Sequence, residues 1–249
     1  MNRAPRERLI FALDTGNRIE DYLSWVDRLK EQVDFFKIGK ESFTYHGPAI
    51  VQKIKDKGCR IFLDLKFHDI PNTVGAAAVA AVNLGVAMFN VHALGGGRMM
   101  ADAVKAARKA AERKSVPMPI ILAVTVLTSL NDDDLKSIGF YRSAVDLALH
   151  LARMAQDAGV SGVVASAHDV ENIRRACGDD FVIVTPGIRA TGASGDDQKR
   201  TWTAERAIAS GADYIVVGRP IREAPDPVHA AARLVREIGE GLAKREKVI

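Results

Sequence analysis

The chain alternates short apolar runs with longer segments in which apolar and charged residues recur at helical spacing. The alternation occurs eight times and predicts eight βα units. The apolar runs are rich in β-branched residues and continuous, which is typical of parallel strands whose outer face is covered by helices. The predicted strands are residues 9–13, 35–38, 60–65, 87–91, 120–126, 162–165, 182–185 and 214–217.

The length of the chain favours closure of these units into one barrel. A chain of 249 residues with 47% hydrophobic content matches a (β/α)8 barrel of about 250 residues, although length alone would also fit two smaller domains. Because no linker or low-complexity segment divides the sequence, we expect a single TIM-barrel domain over residues 1–249. A doubly wound open sheet is the alternative, since short strands are hard to count from one sequence.

The charge balance points to an anionic small molecule. Lys and Arg number 35 against 31 Asp and Glu, which gives a net charge of +4 and a pI near 9.1. The basic residues are spread along the chain and aromatic residues make up 6%. Nucleic-acid binding would need a basic stripe with stacking aromatics. We therefore expect no nucleic-acid partner.

The cysteines and the N-terminal segment indicate where the protein works. Cys59 and Cys177 lie far apart without metal-type spacing, and Cys59 is expected to be a small core residue outside any disulfide framework. Residues 1–8 are charged and lack the apolar region of a secretory signal, and no stretch reaches about 18 uninterrupted apolar residues. We expect a soluble, cytoplasmic protein without a membrane partner.

Polar residues gather where the predicted strands end. In a barrel of this kind, the chemistry lies at the C-terminal ends of the strands. Any one of these residues could be a solvated loop charge or a helix cap, but so many together favour a functional site. They are Asp14, Lys37, Asp64, Lys66, Asp69, His92, Thr128, Ser166, Arg189 and Arg219.

Three charged residues at neighbouring strand ends predict a catalytic array. Asp64 and Lys66 end the third strand and would share one face, because side chains alternate with period two. Charges inside a barrel mouth are costly to desolvate, which favours function over a surface ion pair. Lys37, at the end of the second strand, would reach Asp64. A lysine kept protonated between carboxylates can donate a proton to a carbanion, or stabilise negative charge that builds on an adjacent carbon.

Two glycine-bearing segments predict a phosphate site. Residues 185–189 follow the seventh strand and residues 218–220 follow the eighth, where barrels commonly bind phosphate. Glycine lets backbone N–H groups approach an anion, and an arginine fork can hold its oxygens. Between them, residues 190–199 form a polar segment suited to closing over a ligand, with an ordinary mobile loop as the alternative.

Together these motifs resemble the orotidine 5′-phosphate decarboxylase family. The likeness covers nearly the whole chain and rests on D-L-K-F-H-D-I-P-N-T-V at 64–74, T-P-G-I-R at 185–189, G-D-D-Q at 195–198 and Gly218-Arg219. The D-x-K-x-x-D core alone is less specific, because related Mg²⁺-dependent decarboxylases of sugar phosphates carry a similar pattern. The I-P-N-T continuation and the distal segments favour the nucleotide enzyme.

The resemblance implies decarboxylation of orotidine 5′-phosphate to UMP in de novo pyrimidine biosynthesis, with neither a metal nor an organic cofactor. It implies that Lys37, Asp64, Lys66 and Asp69 form the charged catalytic array, that Lys66 donates the proton to C6, and that Asp64 lies beside the departing carboxylate. It also implies that Asp69 enters the active site of the partner subunit. A homodimer with shared active sites is therefore expected.

The resemblance also implies a set of binding residues. Asp14 and Lys37 would contact the ribose, Thr73 would join the site across the dimer interface, and Thr128 or its neighbour Ser129 would contact the pyrimidine. The residues implied at the phosphate end are Arg189, Gln198, Gly218 and Arg219, with Gln198 also able to reach the base.

Two rival functions and three structural expectations complete the prediction. The rivals are a Mg²⁺-dependent sugar-phosphate decarboxylase, separable by its metal dependence, and a silent nucleotide-binding barrel, separable by its lack of turnover. His68 and His92 are expected to be structural hydrogen-bonding residues. Residues 95–97 are expected to turn into a helix, and residues 233–247 to form the solvated face of a last helix.

Overall fold

The computed structural model describes residues 4–188 and 202–246. Within these residues, eight strands pair in chain order into a closed barrel, and the first strand pairs in parallel with the last, Leu9 lying opposite Ile215. The predicted (β/α)8 TIM barrel is confirmed, and the open-sheet alternative is wrong. The strands are β1 (Leu9–Ala12), β2 (Phe35–Gly39), β3 (Arg60–Phe67), β4 (Met88–His92), β5 (Ile120–Val124), β6 (Gly162–Val164), β7 (Val182–Pro186) and β8 (Tyr214–Val217).

All eight predicted strands are present, and their ends differ from the prediction by at most two residues. The largest extension is in β3, which continues through Lys66 to Phe67. The apolar run of this strand is interrupted at Asp64 and Lys66, and its last four residues are only partly buried. In β3 the hydrophobic pattern therefore underestimates the strand, whereas in β1, β5 and β6 it overestimates the C-terminal end by one or two residues.

Helices follow the strands as the pattern predicts. Residues 95–97 lead into a helix as expected, since a 3-10 turn at Ala93–Gly95 runs directly into the next α-helix. Further 3-10 turns occupy Pro5–Arg8 and Ala167–Asp169. The α-helices of the described residues are α1 (Ile19–Leu29), α2 (Lys40–His46), α3 (Pro48–Lys55), α4 (Pro71–Leu84), α5 (Gly96–Lys114), α6 (Asp132–Ser137), α7 (Ala144–Asp157), α8 (Val170–Cys177), α9 (Ala204–Ala209), α10 (Arg219–Arg222) and α11 (Pro227–Glu246).

Contacts within the chain define two compact units, the first from the described residues of Met1–Asp64 and Thr185–Ile249. Its core contains edge-to-face aromatic pairs such as Phe35 with Tyr214. Helix α11 packs on α9, and its outer positions are solvated as predicted except for Glu237, which is buried and lies 3.9 Å from Arg233. Cys59 is only partly buried, so it is not the core residue that the sequence predicted.

The second unit comprises Leu65–Val184. Its strands β4 to β7 pair in parallel, and α4 packs closely on α5. Gly162 begins β6 where any side chain would collide with the carbonyl of Val182 on the neighbouring strand, so only glycine fits there. Across the described part of the chain, no helix is both long and apolar enough to cross a bilayer. The expectation of one domain over residues 1–249 stays a prediction.

Candidate active site

The first unit brings three of the predicted residues together around the ammonium of Lys37. The Nζ atom of Lys37 lies 3.3 Å from Oδ1 of Asp14 and 3.4 Å from Oδ2 of Asp64. The predicted contact between Lys37 and Asp64 is thus present. The side chains of Lys37 and Asp64 are 11% and 13% exposed, whereas that of Asp14 is 47% exposed. The array is therefore buried at Asp64 and open to a ligand at Asp14.

Gly39 leaves the space that this array occupies. A Cβ atom at Gly39 would lie 3.1 Å from Nζ of Lys37 and 3.2 Å from Oδ1 of Asp14. Both distances are tighter than ordinary van der Waals contact, so a larger residue would press on the ion pair. The glycine that ends β2 is therefore part of the construction of the site.

The loop after β1, which carries Asp14, is held by its backbone carbonyls. Side chains from three different helices donate hydrogen bonds to it: Ser42 to the carbonyl of Leu13 (2.9 Å), Arg222 to that of Asp14, and Tyr22 to that of Gly16. Burial raises the pKa of Tyr22, which keeps its hydroxyl a donor. These contacts fix the backbone from which Asp14 reaches Lys37.

In the second unit, Lys66 has a backbone conformation that the sequence did not predict. Its φ is +52°, in the left-handed region, and its N–H donates to Oδ1 of Asn90 at 2.8 Å. Period-two alternation assumes extended dihedrals throughout a strand. The predicted alternation from Asp64 to Lys66 is therefore wrong at Lys66, where the backbone is not extended.

Aromatic contacts hold the residues that follow Lys66 against β4. The rings of Phe67 and Phe89 lie 6.0 Å apart, and those of His68 and His92 are stacked at 5.3 Å. His92 is buried, and its Nδ1 accepts the N–H of Leu94 at 3.3 Å. The structural hydrogen-bonding role predicted for His92 is confirmed, whereas the role shown for His68 is ring stacking.

The predicted interface residues lie on an exposed surface of the second unit. Asp69 is exposed and accepts the N–H of Ile70 at 2.6 Å. Ile70 is an exposed large apolar side chain, 65% accessible, and Thr73 in the first turn of α4 is also exposed. Thr128 and Ser129 both follow β5 and both are exposed, so either can meet a ligand.

Only part of the predicted phosphate site lies within the described residues. Arg189 and Gln198 lie outside the described residues. In the first unit, Gly218 follows β8 and precedes α10, whose first residue is the exposed Arg219. A Cβ atom at Gly218 would lie 3.4 Å from that of Ala12, which is ordinary van der Waals contact, so the space around Gly218 does not by itself require glycine.

A buried carboxylate that the sequence did not single out follows β6. Asp169 is 7% exposed, and burial raises its pKa to about 6, against the opposing effect of a hydrogen bond with the Ser166 backbone. Ser166 itself accepts the N–H of His168 at 3.4 Å and so caps the 3-10 turn. No group of three or more His, Cys, Asp or Glu side chains is arranged to hold a metal ion in residues 4–188 or 202–246.

A closed parallel barrel with a buried lysine between carboxylates at its strand ends defines a (β/α)8-barrel enzyme with a charged active site. Comparison with known proteins specifies it further. The model of the orotidine 5′-phosphate decarboxylase / HUMPS family matches residues 7–234. The chain belongs to this family, as the resemblance implied, and is a carboxy-lyase of the orotidine 5′-phosphate decarboxylase type.

Relatives named orotidine 5′-phosphate decarboxylase are similar to this chain over nearly their full length. The chain is 62% identical to an orotidine 5′-phosphate decarboxylase of Syntrophus aciditrophicus, with 98% of each chain covered. It is 51% identical to one of Syntrophotalea carbinolica, over 95% of this chain and 97% of the relative. The crystal structure of the Lactobacillus acidophilus enzyme superposes with a TM-score of 0.81 at 36% identity, covering 93% of this chain and 99% of the other.

Proposed function

We propose that this chain decarboxylates orotidine 5′-phosphate to UMP in pyrimidine biosynthesis without a metal or an organic cofactor, Lys66 donating the proton to C6. The observation that carries the proposal is the Lys37 ammonium held at 3.3 Å and 3.4 Å from two carboxylates, in a chain whose relatives are named for this reaction. Two opposite charges about 3.4 Å apart attract by about 5 kcal/mol at an effective dielectric of about 20. Both carboxylates therefore attract the Lys37 ammonium and fix where it lies.

The chemical step needs a positively charged group beside the reacting carbon, because that carbon becomes negatively charged. The bond between C6 and the carboxylate breaks, its electron pair stays on C6, and CO₂ leaves. The Lys66 ammonium stabilises this developing charge and transfers a proton to C6, and the neutral amine then regains a proton from water. Asp64, 13% exposed and paired with Lys37, would present its negative charge beside the departing carboxylate.

Phosphate binding would supply energy far from the reacting carbon. Arg219 and Gly218 after β8, with Arg189 and Gln198, are the proposed phosphate residues, and Thr128 or Ser129 the proposed pyrimidine contact. Arg219 is exposed at the start of α10, and α10 also carries Arg222, which donates to the carbonyl of Asp14. Interaction energy at the phosphate can thus appear as rate when it organises the reacting groups.

The surface of α4 supports a homodimer. The 14 residues of α4 include no charged side chain, in a sequence that is 27% charged. A groove of about 590 Å³ runs between α4 and α5. Ile70 and uncharged residues of α4 line one side, and the charged Arg98, Asp102, Lys105 and Lys109 of α5 line the other. An uncharged helix beside an exposed apolar side chain is typical of a surface that a second copy covers. Asp69 and Thr73 would then serve the partner's active site.

One assay tests the reaction and both rivals. Orotidine 5′-phosphate is followed by its loss of absorbance with and without EDTA. Turnover that EDTA leaves unchanged supports the proposal. Loss of turnover in EDTA that Mg²⁺ restores would identify a metal-dependent decarboxylase, and UMP binding without turnover would identify a silent barrel. The cytoplasmic location stays a prediction.

Shared active sites are tested by mixing two inactive variants. In a heterodimer of Lys66→Ala and Asp69→Ala subunits, one site would carry both defects and the other neither. About half of the parental activity per heterodimer should therefore return, while homodimers of either variant stay impaired. If native mass spectrometry shows mixed dimers and no activity returns, each barrel uses its own Asp69 and the shared-site proposal is wrong.

A further inference from the structure

The left-handed backbone of Lys66 needs support from its surroundings. A residue with a Cβ atom rarely adopts a φ of +52°, and it stays there only where neighbouring groups hold it. Ser115, the other non-glycine residue with positive φ in the described part of the chain, ends helix α5 in an ordinary left-handed cap. Lys66 has no such local reason, because it lies inside strand β3.

Asn90 supplies that support from the neighbouring strand. It stands in the middle of β4 in the sequence M-F-N-V-H and is 1% exposed. A carboxamide is costly to bury unless it is hydrogen-bonded, and its Oδ1 accepts the Lys66 N–H at 2.8 Å. This distance is that of a well-formed hydrogen bond. The buried amide therefore contacts the backbone group next to the Cα atom from which the Lys66 side chain starts.

Ring contacts also hold the residues that follow Lys66 against β4. Phe67 packs against Phe89, and His68 stacks on His92. Ring contacts are broad and tolerate sliding, whereas a hydrogen bond fixes distance and direction. Asn90 is therefore the contact in this group that can set the position of Lys66 most closely.

We propose that Asn90 is a positioning residue for the reaction: by accepting the Lys66 N–H it holds the left-handed backbone from which the ammonium reaches C6. This inference rests on the proposed role of Lys66 as the proton donor. A proton donor must lie within hydrogen-bonding distance of the atom that it protonates. A misplacement of about 1 Å can cost about a hundredfold in rate, so loss of the Asn90 contact should lower kcat much more than it changes KM.

The test compares two variants with a matched control. Asn90→Leu keeps the size of the side chain and removes the acceptor, whereas Asn90→Asp keeps an acceptor oxygen. Ser161→Ala is the control, because Ser161 also accepts a strand N–H, that of Ile121 at 3.1 Å, in the same unit but at the N-terminal end of its strands. Each variant is assayed for kcat and KM with orotidine 5′-phosphate. Amide hydrogen exchange at Lys66 is measured in parallel and does not depend on activity.

We expect Asn90→Leu to lower kcat about 10- to 100-fold with KM changed less than about threefold, Asn90→Asp to recover part of the loss, and Ser161→Ala to retain the parental kcat. The Lys66 amide should exchange faster in Asn90→Leu only.

Parental kcat in a folded Asn90→Leu protein, or an equal loss in Ser161→Ala, would overturn the inference. If Asn90→Leu does not fold, Asn90→Ala takes its place. Absence of turnover in the parent would instead refute the proposed function, and the exchange measurement would still decide whether Asn90 holds Lys66.

Discussion

Replacing Asp169 by Asn should make the protein more stable at neutral pH. Asp169 is 7% exposed in the 3-10 turn after β6. Burial raises the pKa of its carboxyl from the usual 3.8 to about 6, partly opposed by a hydrogen bond with the Ser166 backbone. Asparagine keeps an acceptor oxygen for that hydrogen bond and carries no charge. The variant therefore imitates the protonated form that the site prefers.

The sign and size of the effect follow from proton linkage. Between pH 3.8 and about 6 the folded protein binds more protons at Asp169 than the unfolded chain does, so the free energy of unfolding falls as the pH rises. At 1.36 kcal/mol per pKa unit, the ionised carboxylate costs at most about 3 kcal/mol above pH 6. The cost is absent below the unfolded pKa. Asp169→Asn should match the parent near pH 4 and exceed its stability by up to about 3 kcal/mol near pH 8.

Urea unfolding between pH 4 and pH 8, followed by circular dichroism at one protein concentration, measures this difference. Asp226→Asn is the control of opposite sign, because hydrogen bonds from the backbone N–H groups of His229 and Val228 lower the pKa of Asp226. Its contribution to stability is present at neutral pH and is lost as the pH falls. A stability difference between parent and Asp169→Asn that does not grow from pH 4 to pH 8 would refute the assignment of a buried, costly carboxylate.

Three further predictions concern the active site. Lys66→Ala should lower kcat by about three powers of ten, because one ion pair in the transition state contributes about 4 kcal/mol. The affinity for UMP, measured by calorimetry, should stay within a few-fold of the parental value. Near-normal turnover would contradict the mechanism. Arg219→Ala should weaken UMP binding about 10- to 100-fold, the loss of a charge-assisted hydrogen bond, and unchanged affinity would remove Arg219 from the phosphate site. Arg222→Ala should speed amide exchange in the loop that carries Asp14 and lower kcat/KM about tenfold, since its guanidinium holds the Asp14 carbonyl; unchanged exchange would count against that support.

The fold could be predicted from the sequence because its signals are repeated and local. Eight apolar runs, each followed by a helical pattern, leave few topologies once parallel pairing is assumed. The Lys37 contact with Asp64 was also predictable, since adjacent parallel strands bring their C-terminal ends together and opposite charges attract. Single contacts of this kind depend only on strand order and residue type.

The supports of the site could not be predicted in the same way. A backbone carbonyl can be held by any donor, and around the loop after β1 the donors are a serine, a tyrosine and an arginine from three separate helices. No spacing in the sequence links them, because the contacts form only when the chain has folded. Asn90 left a weak signal, a lone carboxamide within an apolar strand, and its partner could not be known before β3 and β4 were placed.

Lys66 shows why a side chain can be proposed for catalysis from its charge while its geometry is misjudged. The chemistry selects a lysine for its charge, and charge is visible in the sequence. Its direction depends on one backbone dihedral, and a φ of +52° breaks the alternation on which any strand-based argument relies. A conformation that is uncommon for lysine persists only with support from outside the strand, and here the N–H of Lys66 is bonded to a buried side chain of β4. The sequence of β3 thus identifies the proposed proton donor, whereas its position depends on contacts between β3 and β4.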